Sequence, residues 1–174
     1  FWNNKQNQPL IKLYSDVISH KSVGSNRFLN ICHALEYYSR IYRTQEVEEI
    51  RKEKGLKKNE IPLFIRIIDI LRMSNDYFDL SEEEIESKSR ELANKRNYLS
   101  HYNFRNSKQV ADIDHFSETR VEYDLENFAF CLFMVVVYSE LKIPAKVIKN
   151  ALTGSINTFA STLEKIFDGP RGDE

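Results

Sequence analysis

Glycine and proline are scarce, at five and four of the 174 residues. So little turn punctuation works against a fold of many short strands and favours long helices. No alternating strand pattern of useful length occurs, and there is no internal repeat or low-complexity segment. Cysteine is nearly absent. Cys32 and Cys131 both sit in apolar runs, which reads as two buried small hydrophobes, not a disulfide framework or a thiolate metal site. That usage fits a reducing, cytoplasmic setting. Charge of one sign is lacking as well: the net charge is −1 and the pI about 6.5. A globally basic nucleic-acid binder is therefore excluded, and any RNA contact has to come from a local patch. The longest apolar run, "AFCLFMVVVY" over residues 129–138, falls short of the roughly 20 residues that span a bilayer. It reads as a buried helix with no membrane role. No signal peptide is visible. The chain opens on Phe1 instead of Met, which suggests a piece of a longer protein with a further N-terminal domain.

What is present is helical periodicity. Apolar and charged fractions of 41% and 29% are ordinary for a folded domain, and the length suits one core. Residues 1–24 are weakly patterned and read as a connector, with a short helix over residues 10–20. In "SNRFLNICHALEYYSRIYR", Phe28, Ile31, Cys32, Leu35, Tyr38 and Tyr42 recur at spacings of three and four, one face of a helix. Gly55 ends the charged element that follows, and Pro62 suits the opening of the next, "IPLFIRIIDILRM". Its inner face is Leu63, Ile67, Ile70 and Leu71, widened by Phe64 and Ile68. Ser81 and Glu84 are spaced as a capping box, with Leu80 and Ile85 as a hydrophobic staple. A long loop is expected over residues 103–120 and a fourth helix over about 124–141, stopped by Pro144. One or two short helices and a frayed tail close the chain. The sequence thus predicts an all-α bundle of four to five main helices plus short C-terminal ones, with residues 25–167 as the domain and 168–174 as tail.

Chemistry concentrates in "KRNYLSHY", residues 95–102. At about 100° per residue, Ile85, Leu92 and Leu99 stack on the core-facing stripe. Asn97 and His101, at i and i+4, share a face nearly opposite. Arg96 flanks the stripe. His101 is therefore not a core histidine; it faces solvent or a partner. Histidine titrates near neutral pH and can take or give a proton at a ribose oxygen. Arginine offers a permanent forked charge to a phosphate, and Asn97 could orient His101. No metal or other cofactor is needed for this. Lys95, Tyr102, Arg105 and Lys108 would supply the local RNA-binding patch. Glu36 could face such a cleft but reads better as a surface carboxylate, and His33, between apolar positions, as structural. His20 and His115 have no context that assigns a role. The basic "KEKGLKK" segment reads as a solvated turn.

The pairing of "RNYLSH" with "FLNICHALEYYSRIY" on an earlier helix resembles the HEPN superfamily, most closely its Apea-like group. Arg96, Asn97 and His101 match the signature of arginine, a polar residue and, after four intervening positions from the arginine, histidine. The resemblance covers about residues 25–165. It implies a four- to five-helix bundle that works as a homodimer and cleaves RNA without metal, leaving a 2′,3′-cyclic phosphate and a 5′-hydroxyl, in defence or toxin-type proteins. Two Arg-His motifs would meet across the dimer interface. The alternative reading is a non-catalytic HEPN-like module that dimerises or binds RNA or a protein partner. A third is a helical domain paired with a nucleotidyltransferase.

Overall fold

The computed structural model describes residues 5–18, 25–57, 61–101 and 120–152. Among them the architecture is all-α, with no strand. The helices are α1 (Gln8–Ile18), α2 (Ser25–Tyr42), α3 (Thr44–Glu53), α4 (Leu63–Met73), α5 (Glu82–His101) and α6 (Arg120–Glu140). Short 3-10 turns cover Lys5–Asn7 and Asn75–Tyr77. Two compact units divide between Val136 and Val137.

In the first unit the core is built around α4. Ile65, Ile67, Ile68, Ile70 and Leu71 are each at most 1% exposed. An apolar face alone cannot account for that, because all seven positions from Ile65 to Leu71 are buried, Arg66 and Asp69 included, and together they go round the helix. The helix is enclosed by α5, α2 and α3, each of which packs on it. The inner face expected from the sequence was narrower and began earlier: Leu63 and Phe64 are only half-buried. Each fully buried isoleucine or leucine contributes about 1.5–3 kcal/mol.

On α2 the predicted face holds for Phe28, Ile31, Cys32, Leu35 and Tyr38, all buried, whereas Tyr42 emerges at the helix end. There its hydroxyl donates to Asn7 Oδ1. Helix α1 packs along α2 and buries Leu10 and Val17, and it begins at Gln8, two residues before the sequence pattern placed its start. Tyr14 of α1 meets Phe133 of α6 with ring centroids 6.0 Å apart, and Phe78 meets Phe128 of α6 at 5.3 Å.

The helix ends follow their local chemistry. Glu84 N–H donates to Ser81 Oγ (3.3 Å) and Ser81 N–H donates to Glu84 Oε2 (2.8 Å), the reciprocal box expected at the start of α5. Asn75 secures the preceding turn, donating to Leu80 O and accepting from Leu80 N–H, both at 2.9 Å. At the end of α3, Gly55 (φ 66°) donates to Lys52 O and Leu56 N–H to Arg51 O, a Schellman closure that needs a left-handed residue.

In the second unit the same closure recurs without glycine. Lys142 (φ 59°) donates to Ser139 O and Ile143 N–H to Tyr138 O. This corrects the sequence expectation that Pro144 stops the helix. The stop is the left-handed Lys142, and Pro144 instead opens the helix over residues 145–152, its carbonyl accepting from Val147 and Ile148 N–H.

Candidate functional site

The last turns of α5 carry Lys95, Arg96, Asn97 and His101. The faces fall largely where 3.6-residue periodicity puts them. Ile85 and Leu92 are buried, Leu99 is half-buried and Asn97 is exposed. His101 is the final residue of the helix. Tyr102, Arg105 and Lys108, expected to bind RNA, lie outside the described residues, as do His20 and His115.

Arg96 reaches across to α2. Its Nη2 lies 3.2 Å from Glu36 Oε2, and its Nη1 donates to Asn97 Oδ1 at 3.2 Å. Its Nε is buried and has no hydrogen-bond partner among the described residues. The side chain is 22% exposed and that of Glu36 is 18% exposed. Glu36 is therefore no surface carboxylate, as its sequence context suggested. It is the anchor that holds the motif arginine. Asn97 likewise has its oxygen on Arg96, where the sequence reading paired it with His101.

The other oxygen of Glu36 serves Arg40, one turn along α2. Arg40 Nη2 lies 2.7 Å and Nε 3.3 Å from Oε1. A third arginine, Arg66 of α4, is near enough to act electrostatically on both Glu36 and Arg40. Burial is the largest single influence on Glu36 and raises its pKa. The Arg40 hydrogen bond and the charges of Arg40, Arg96 and Arg66 together outweigh it, so the carboxyl sits below its ordinary value. Three guanidiniums thus surround one carboxylate, and the cluster carries excess positive charge.

Lys95 does not join this patch. Its side chain is only 10% exposed. It runs over the Phe28 ring (Nζ 4.9 Å from the centroid) to Glu126 Oε1 at 3.3 Å. It is a packed ion pair joining α2, α5 and α6. His33, read from the sequence as structural, is exposed. Beneath the cluster, burial pushes the Cys32 thiol up to about 12, against the lowering influence of Arg96 and Lys95. It is thus no nucleophile at neutral pH. Cys131 is also raised by burial. Among the described residues, no three histidine, cysteine, aspartate or glutamate side chains gather into a metal-binding set, and no helix is long and apolar enough to cross a membrane.

Arg40 and Arg66 escaped the sequence reading. Their signals were there: a Glu-Arg pair at i,i+4 on α2, and an arginine inside the otherwise apolar "LFIRIIDIL". Compared with family models, curated proteins and solved structures, the chain finds no match.

Proposed function

We propose that this chain is a metal-independent endoribonuclease domain of the HEPN type, acting as a homodimer in a defence or toxin-type protein. Arg96 stabilises phosphate charge, His101 moves the proton and Asn97 positions Arg96. The observation that carries the reading is Arg96 itself. It is held from α2 by Glu36, keeps one buried N–H without a partner, and lies on the same helix end as His101. Such a half-satisfied guanidinium suits an anion that arrives with the substrate.

In the reaction, the ribose 2′-oxygen attacks the adjacent phosphorus as a base removes its proton. The bond to the 5′-oxygen breaks, and that oxygen leaves with a proton from an acid. The products are a 2′,3′-cyclic phosphate and a 5′-hydroxyl. In a composite dimer site the two histidines share the base and acid roles. Arg96 offsets the charge that accumulates on the non-bridging oxygens.

The test is cleavage of single-stranded RNA in EDTA by the unmodified chain and by His101→Ala. Cleavage by the first alone, with cyclic-phosphate ends, is expected. Equal cleavage by both overturns the assignment. A second reading, an RNA-binding module without catalysis, is favoured by the excess positive charge around Glu36, which suits phosphate whether or not His101 reacts. It predicts binding without cleavage by either protein.

A further inference from the structure

Arg66 is a buried charge with no ion-pair partner among the described residues of the first unit. It lies on α4 in the run Ile65–Leu71, where every residue is buried, and is itself 9% exposed. Its neighbour in that run, Asp69, is fully paired with Arg43, at 2.9 and 3.0 Å. Arg66 has no comparable partner. No carboxylate lies within ion-pair distance of it among the described residues, and its buried Nε has no hydrogen-bond partner. Burial and the repulsion of Arg40 both disfavour its charge, and Glu36 offsets them only in part. Glu36 already has both oxygens committed, one to Arg40 and one to Arg96. A buried guanidinium with idle donors costs stability unless something fills it. Arg96, on the Glu36 oxygen that Arg40 does not take, also has a buried Nε without a partner among the described residues.

We infer that Arg66, with the exposed Arg40, forms a second phosphate-binding subsite beside Arg96, separated from it by the Glu36 carboxylate. Under the ribonuclease reading, on which only the identity of the ligand rests, Arg96 meets the phosphate that reacts and Arg66 a neighbouring one along the strand. Glu36 keeps the guanidiniums apart and fixes their spacing. The subsite selects a phosphate group, whether part of a nucleic-acid backbone or a free anion.

The experiment measures binding of a fluorescein-labelled oligouridine by anisotropy across a salt series, and thermal stability with and without inorganic phosphate. It compares the unmodified chain with Arg66→Met and, as a control, Arg72→Met, whose guanidinium is already taken up by Glu53 and Glu82. Arg66→Met is expected to weaken binding about tenfold, the loss of one charge-assisted contact. It should also flatten the dependence of log affinity on log salt by about 0.7, one phosphate contact on a single strand. It should melt higher than the unmodified chain in the absence of anion, because an uncompensated buried charge is gone. A purely structural arginine would melt lower when removed. Arg72→Met should bind as the unmodified chain does. Phosphate-dependent stabilisation lost in Arg66→Met, without oligonucleotide binding, assigns the subsite to a free anion. Unchanged affinity, salt slope and phosphate response in Arg66→Met overturn the inference, as does an unmodified chain that responds to neither probe. Absence of cleavage alongside Arg66-dependent binding sinks the ribonuclease reading and leaves the subsite standing.

Discussion

Of the arginine–carboxylate pairs that join elements of the first unit, Arg43–Asp69 and Arg96–Glu36 are built differently. Arg43 donates from Nε to Asp69 Oδ2 at 3.0 Å and from Nη2 to Oδ1 at 2.9 Å, while Nη1 reaches Glu46 at 2.8 Å. Every nitrogen of its fork is engaged, and the hydrogen bonding to Asp69 is the main cause that raises its pKa. Arg96 touches Glu36 through one nitrogen at 3.2 Å and Asn97 through another at 3.2 Å, and its Nε bonds nothing. The first is a closed joint that holds the end of α2 to α4. The second is held loosely enough to exchange a protein oxygen for a ligand oxygen. On the proposed function, the same residue types serve structure or chemistry according to how many donors remain idle.

The sharpest way to break this comparison is to remove each pair in turn. Arg96→Ala is expected to slow RNA cleavage by about 10²–10³, the usual loss for a donor aimed at developing charge. It should cost at most about 1 kcal/mol of stability in urea unfolding, since the pair is partly solvated. A large stability loss with unchanged cleavage would reverse the roles of the two arginines. Asp69→Ala should do the opposite. It leaves Arg43 without its buried partner and costs about 3 kcal/mol, at the low end for a broken buried pair because Arg43 is itself 22% exposed. Cleavage per folded molecule should stay at the level of the unmodified chain.

Lysine replacements sharpen the contrast at a smaller scale. Arg43→Lys forfeits a bidentate fork and should lose roughly 1 kcal/mol more than Arg96→Lys, measured as the difference in urea midpoints at constant slope. Equal losses would mean that fork geometry matters in neither place. The smallest effect is in acid. Because the folded Glu36 carboxyl lies below its ordinary value, its contribution is present above the unfolded glutamate value, about 4.3. It is lost as the pH falls through the folded value. Glu36→Gln should flatten that part of the stability curve. It should leave the steeper acid limb set by groups such as Glu86, which Lys54 and Arg90 hold down to about 2. An unchanged curve between the two proteins would detach Glu36 from its three arginines.

The sequence was informative where local chemistry decides the structure. The Ser81–Glu84 box, the Gly55 closure and the α2 face from Phe28 to Tyr38 all form as the spacing dictates. Arg96 at the edge of the core stripe and Asn97 on the outer face also lie where the helical angle puts them. It was less informative where a distant helix decides. Leu63 and Phe64 looked internal by periodicity, yet the burial of α4 is set by three neighbours and begins at Ile65. Lys95 read as part of a local RNA-binding patch beside the motif, but Phe28 and Glu126, both remote in sequence, draw it inward. Glu36 read as a surface group because its partner Arg96 is 60 positions away. Lys142 showed no stop signal, since a left-handed lysine is chosen by the surrounding backbone and not by its own preference.

Cys32 adds a practical consequence. Its thiol is buried beneath Arg96 and Lys95 and stays protonated at neutral pH, so an electrophile can reach it only when α2 parts from its neighbours. In a Cys131→Ser background, the rate at which Cys32 is alkylated becomes a stopwatch for that parting. The clock is wired to the site, because whatever tightens the helices under Arg96 must slow it. A strand of RNA that binds there would be timed by a sulfur it never touches.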